Sequence, residues 1–99
     1  MERMPDAEAV AAAVAELHDL VQAVFHRTQP MPGDAASWSR VAGAAQRIDT
    51  RARWCRDATL AIARRAGASW DELERDTGVA DSTLSDRHSA FLRAEGVTS

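Results

Sequence analysis

The stretch GASWDELERDTGVADSTLSD, residues 67–86, is the most informative part of this chain. Gly67 follows an apolar helical run, at the position where a glycine with left-handed backbone geometry often ends a helix. Ser69 and Glu72 have the spacing of a capping box, in which the hydroxyl accepts a hydrogen bond from the amide three residues later. The stretch therefore predicts a short helix over residues 70–76.

A glycine turn separates this short helix from a second one. Gly78 supplies the positive φ that a side chain resists, and Val79 is expected to fill the angle between the helices. Asp81 or Ser82 is predicted to cap the second helix. The positions predicted to face inward from the two helices are Leu73, Leu84, His88, Phe91 and Leu92. With the end of the preceding helix, these elements predict a three-helix helix-turn-helix unit.

This segment resembles the helix-turn-helix domains of actinobacterial transcription regulators and region-4-like sigma modules. The resemblance rests on Gly67, Ser69, Trp70, Glu72, Leu73, Gly78, Val79, Thr83 and Leu84. It covers about the last third of the chain and the preceding helix. The chain departs from the family pattern at Glu74, where a small residue is usual, and at Thr77, where a large aliphatic residue is usual.

The resemblance implies that the second short helix contacts DNA. Base-reading positions carried over from the family are Asp81, Ser82, Thr83, Ser85, Asp86 and Arg87. Arg64 and Arg65 end the preceding helix and are expected to reach flanking phosphates. Asp86 is then either an acceptor for a cytosine amino group or a brake on non-specific binding.

Charge is distributed unevenly along the chain. Residues 67–99 carry seven acids against three arginines, a net charge of −4, while residues 37–66 carry seven arginines against two aspartates, a net charge of +5. Residues 1–36 have a net charge of −4. Two interpretations remain open: acidic segments neutralise the basic helix within the fold, or its arginines meet an anionic partner.

The first segment predicts an amphipathic helix over residues 6–28, capped by Asp6. Its apolar residues recur at spacings of four and three, which is a heptad-like pattern. They are Val10, Val14, Leu17, Val21 and Val24, and Leu20 and Phe25 widen the stripe. Two prolines and a glycine within residues 29–37 end this helix, and Ser37 is expected to cap the next one.

A long arginine-rich helix is predicted over residues 38–66, where Gly43 or Thr50 could interrupt it. Its apolar stripe is predicted to run through Val41, Ala45, Ile48, Ala52, Cys55, Thr59, Ile62 and Ala66. Two such stripes in a small chain predict a homodimer. Its interface is predicted at Val14, Leu17, Val21, Val41 and Ile48. The alternative is a compact monomer in which the first helix folds back along the second.

Composition agrees with an all-α fold, because alanine and arginine are abundant and there is no tyrosine among the 99 residues. The predicted architecture is a single domain with two long N-terminal helices followed by the helix-turn-helix unit. Its parts are residues 1–36 (helix and Pro/Gly linker), residues 37–66 (long helix) and residues 67–99 (helix-turn-helix).

The sequence offers no pattern for catalysis, a metal site or a cofactor. Two of the three histidines, His18 and His26, lie on the first predicted helix and His88 lies on the last, so they form no cluster in the sequence, and the single cysteine excludes a disulfide within the chain. The chain has no signal-peptide pattern or membrane-spanning segment, so a cytoplasmic protein is expected. The predicted function is DNA-binding transcription regulation by a dimer. The alternative is an adaptor that uses the same fold to bind another regulatory protein, such as a sigma or anti-sigma factor.

Overall fold

The computed structural model describes residues 5–28 and 33–96. These residues form four helices, namely α1 (Ala7–Arg27), α2 (Ala35–Arg65), α3 (Trp70–Thr77) and α4 (Asp81–Ala94). No strand occurs among them, which confirms the all-α prediction for the described part of the chain. The chain divides into a hairpin unit, Ala11–Cys55, and a C-terminal unit that comprises residues 5–10 and 56–96.

Aspartates begin the two long helices. The Asp6 carboxylate accepts a hydrogen bond from the Ala9 amide at 2.8 Å, as predicted. The prediction that Ser37 caps the second helix is wrong. Asp34 takes that place and accepts from the Ser37 amide at 3.0 Å, so α2 starts at Ala35. Hydrogen bonds from Ser37 hold the pKa of Asp34 below its ordinary value. The predicted break at residues 29–36 lies partly outside the described residues.

The helix α2 is continuous over 31 residues, and neither Gly43 nor Thr50 interrupts it. Its buried face differs from the predicted stripe. Positions predicted inside but exposed to solvent are Ala45, Ala52, Thr59 and Ala66. The buried positions are instead Ala44, Ala58, Leu60 and Ala61. Alanine lies on several faces of this helix, so a one-residue shift of the stripe changes the hydrophobicity of the stripe little. The sequence pattern therefore does not determine which face of α2 is buried.

In the hairpin unit, the chain turns back so that α2 runs antiparallel to α1. The Arg51 guanidinium meets the Glu16 carboxylate at 3.1 Å across the two helices. Small residues dominate the inside of this unit, where Ala13 and Ala44 are 7% and 1% exposed. A helix pair with so few large buried side chains buries little apolar surface, and larger side chains remain at the outside.

In the C-terminal unit, α2 ends in a Schellman motif at Gly67, which has a φ of 105°. The Gly67 amide donates to the Arg64 carbonyl and the Ala68 amide to the Ala63 carbonyl, each at 3.0 Å. Ser69 then begins α3 by accepting from the Glu72 amide at 3.1 Å, as the capping box predicts. Local sequence signals thus determine both sides of this corner.

The turn between α3 and α4 is built on Gly78, which has a φ of 72° and donates its amide to the Glu74 carbonyl at 2.9 Å. The Thr77 hydroxyl donates to the Leu73 carbonyl and accepts from the Val79 amide, at 2.7 and 3.2 Å. Thr77 therefore stabilises the turn by hydrogen bonds at a position where the family pattern places a large aliphatic side chain.

The prediction that Asp81 or Ser82 caps α4 is wrong. Ala80 occupies the cap position and makes no side-chain hydrogen bond, while Asp81 is the first helical residue. The Glu74 carboxylate, from α3, accepts a hydrogen bond from the Asp81 amide at 2.8 Å. An acid in α3 thus satisfies a free amide at the start of α4, where the helix dipole favours negative charge.

The core of the C-terminal unit consists of one leucine from each of three helices: Leu60 of α2, Leu73 of α3 and Leu84 of α4. Their exposed fractions are 7%, 8% and 4%. Val79 packs against this cluster from the turn, as predicted. Phe91 is buried farther along α4. This packing determines which side of α4 faces solvent.

Candidate nucleic-acid interface

The outer face of α4 includes most of the positions that the family resemblance assigns to DNA. Its exposed polar and charged residues are Asp81, Ser82, Thr83, Asp86, Ser89 and Arg93. Four of them, at positions 82, 86, 89 and 93, follow the helical repeat and share one side. Ser85 and Arg87 are half-buried. Apart from two alanines, the exposed side of α4 is polar throughout.

Arg64 lies against the other helices of the unit. Its guanidinium stands 4.3 Å from the centre of the Trp70 ring, and its Nη1 donates to the Ala68 carbonyl at 2.7 Å. The first contact is a cation–π interaction, and the second holds the corner between α2 and α3. Arg64 therefore stabilises the fold at a position where the sequence predicted a phosphate contact.

The Trp70 ring continues this cluster into α4 by meeting the His88 ring edge-on, with centroids 5.7 Å apart. His88 Nδ1 is buried and has no hydrogen-bond partner among the described residues. Burial lowers the pKa of His88, and the positive charge of Arg64 lowers it further. His88 is thus neutral at neutral pH, with the inward orientation that the sequence predicted.

Arg65 is exposed, but its Nη2 donates to the Pro5 carbonyl at 3.1 Å. Pro5 is itself buried, so this bond holds the residues before α1 against the end of α2 within the C-terminal unit. Both arginines assigned to flanking phosphates thus make hydrogen bonds inside the protein. They keep their charges, but binding a phosphate directly would cost these bonds.

Arg87 lines a groove in the C-terminal unit. The groove has a volume of about 280 Å³, and its apolar wall comes from Leu60, Ala63, Leu73 and Leu84. Arg56 also lines it and makes a two-fold contact with Asp57, at 2.9 and 3.2 Å. Arg87 makes no hydrogen bond or ion pair with any residue that the structure describes. No sequence pattern indicates this groove, because its residues come from three helices.

The residues predicted at a dimer interface fall into two groups. Val14 and Val21 are exposed, at 49% and 45%, and Phe25 on the same helix is 54% exposed. Leu17, Val41 and Ile48 are half-buried. Spacings of seven and four place Val14, Val21 and Phe25 along one side of α1. The hairpin unit thus presents an apolar strip to solvent.

No group of three or more His, Cys, Asp and Glu side chains that could hold a metal ion occurs within residues 5–28 and 33–96. Over the same residues, no helix combines the length and the apolar character that crossing a bilayer requires. Comparisons with protein-family models, curated proteins and solved structures found no match.

Proposed function

We propose that the C-terminal unit is a helix-turn-helix domain that binds DNA through the outer face of α4, in a dimeric transcription regulator. The polar exposed side of α4 is the observation that carries this proposal. Interfaces between proteins are anchored by aromatic and other large apolar side chains, and are depleted in serine and aspartate. Surfaces that contact DNA are polar, and hydroxyls can bond phosphates or base edges.

The order of the elements also supports a DNA-binding arrangement. Two short helices meet at the Gly78 turn around Leu73 and Leu84, and the second helix projects its polar side outward. In helix-turn-helix proteins the second helix of such a pair enters the major groove. Ser82 and Thr83 lie in the first turn of α4 and are exposed, which is where base-contacting residues occur in that arrangement.

Charge makes this proposed binding weak for a single copy. On the outer face of α4, Arg93 is the only base, and Asp81 and Asp86 are acids. With one or two phosphates neutralised per copy, the logarithm of the affinity should fall with the logarithm of salt with a slope of about −1 to −2. A second copy would double the contacts, so the proposed activity depends on pairing.

The exposed apolar strip of α1 is the proposed dimer surface. Val14, Val21 and Phe25 repeat at helical spacing, as expected where two helices pack side by side. Val21→Asp should then give a monomer in sedimentation at tens of micromolar. Ala15→Asp, an exposed site on the same helix outside this strip, is the matched control. A monomeric wild type would contradict this part of the proposal.

DNA binding is tested by fluorescence anisotropy on a generic duplex, with salt varied from about 50 to 200 mM. Arg93→Gln should weaken binding to every sequence and reduce the salt slope by about one. Asp86→Ala should tighten generic binding about fivefold, since one unit charge near a phosphate is worth about 1 kcal/mol in water. Asp19→Ala removes the same charge from the hairpin unit and controls for net charge. No binding at low salt by any variant would refute the proposal.

A second candidate function is an adaptor that binds a basic protein surface. The observation that favours it is the acidity of the C-terminal unit, whose exposed acids include Asp71, Glu72, Asp76, Asp81 and Asp86. Complementary charge steers partners together and fixes their orientation. In this case a purified partner should bind the Asp86→Ala variant more weakly than the wild type, whereas duplex DNA should bind neither the wild type nor the variant.

A further inference from the structure

We propose that the groove between α2, α3 and α4 binds a small molecule that has an apolar body and a single carboxylate, such as a medium-chain carboxylic acid. The site lies wholly inside the C-terminal unit and goes beyond the DNA-binding function. Its wall combines three core leucines with one cation, Arg87, that is unpaired among the residues the structure describes.

The apolar wall selects the body of the ligand. Leu60, Leu73 and Leu84 are core residues that also face the groove, so an apolar ligand there would extend an existing hydrophobic cluster. Thr59 and Thr77 also line the groove, and the hydroxyl of each donates to a backbone carbonyl, of Arg56 and Leu73 respectively. The groove therefore favours hydrocarbon over a polar ligand such as a sugar.

The charges select the head group. The Asp57 carboxylate balances Arg56 through their two-fold contact, which leaves Arg87 as the uncompensated charge of the groove. Arg87 is half-buried and makes no hydrogen bond or ion pair within the described chain. A guanidinium matches a carboxylate with two parallel hydrogen bonds. One net positive charge fits a monoanion better than a doubly charged phosphate.

The volume limits the size of the ligand. Pockets for drug-sized ligands occupy roughly 300–1,000 Å³, and this groove measures about 280 Å³. A ligand with about ten non-hydrogen atoms, such as octanoate, suits that space. Few contacts are available to such a molecule, so the expected dissociation constant is on the order of a millimolar.

The test is a titration of the full-length protein with octanoate, followed by NMR of the leucine methyl groups in the absence of DNA. Signals of Leu60, Leu73 and Leu84 should shift and saturate together. Leu17 and Leu20, in the hairpin unit, should not move. Octanol has the same chain without the charge and should bind at least tenfold more weakly, because it cannot form the charge-assisted pair with Arg87.

Two variants separate the charge from the cavity. Arg87→Gln should weaken octanoate binding at least tenfold, while Arg75→Gln, which removes an exposed arginine of α3 outside the groove, should not. Thr59→Phe places a bulky ring at an exposed position of the groove wall and should abolish binding without entering the core. The spectrum of each free variant shows whether it is folded.

The proposal is overturned if octanoate leaves the three leucines unshifted, if octanol binds as well as octanoate, or if Arg87→Gln binds like the wild type. It is also overturned if Thr59→Phe, folded, still binds. Because DNA is absent from this experiment, its outcome is independent of the outcome of the DNA-binding test.

Discussion

The hydrogen bond between Glu74 and the Asp81 amide predicts a measurable loss of stability in Glu74→Ala. This contact joins α3 to the first residue of α4 at 2.8 Å. Ala80, at the cap position, makes no side-chain hydrogen bond to a free amide. When the Glu74 carboxylate is removed, water is the only hydrogen-bond acceptor left for the Asp81 amide.

The magnitude follows from the capping role. Loss of a helix cap costs about 0.5–2 kcal/mol, and because Glu74 is exposed we expect about 1 kcal/mol for Glu74→Ala. Glu74→Gln keeps an acceptor oxygen and loses only the charge, which is worth about 0.3–1 kcal/mol at a helix N-terminus. In a domain of this size, 1 kcal/mol lowers Tm by roughly 4–8 °C.

The assay is urea unfolding followed by circular dichroism at 222 nm, with Asp76→Ala as the matched control. Asp76 also lies in the last turn of α3 and is exposed, but it makes no hydrogen bond or ion pair within the described residues. Both substitutions remove an acid from the C-terminal end of α3, where the dipole disfavours it, so their difference isolates the contact with α4. If the free energies of unfolding of the two variants differ by less than about 0.3 kcal/mol, Glu74 does not stabilise the start of α4.

Three further predictions concern Gly78, His88 and Arg64 of the C-terminal unit. Gly78→Ala should lower the free energy of unfolding by about 1–2 kcal/mol through the positive φ alone, because nothing lies within 4 Å of an added Cβ. Gly43→Ala, inside α2 of the hairpin unit, should instead raise the free energy of unfolding by up to about 1 kcal/mol. The pKa of His88 is lowered in the folded state, so the unfolded chain takes up a proton at a higher pH than the folded protein does. The free energy of unfolding should therefore decrease as pH falls below 6.5. In His88→Phe, the free energy of unfolding should depend less on pH in this range. Arg64→Met should lower the free energy of unfolding by about 1–2 kcal/mol and raise the pKa of His88, measured by NMR. If the pKa of His88 stays unchanged in this variant, Arg64 does not act on His88 as its position predicts.

The sequence by itself determined most of the features that depend on neighbouring residues, although it placed the caps of α2 and α4 on the wrong residues. Asp6, Ser69 and the glycines at positions 67 and 78 act on amides and carbonyls within a few residues, so their patterns predicted the helix ends closely. The inward positions of α3 and α4 also followed from spacing, because leucine and phenylalanine occur on one side only. The all-α class followed from composition in the same way.

Only the tertiary structure decided the contacts between residues that are distant along the chain. Arg65 bonds Pro5 across 60 positions, and Arg64, Trp70 and His88 come together from three elements. Arginine is compatible with a phosphate contact, a ring contact or a carbonyl contact, and the sequence does not choose among them. The buried face of α2 was likewise undetermined, because alanine is small enough to lie on any side of a helix. Packing chose the side, and with it the groove beside Arg87.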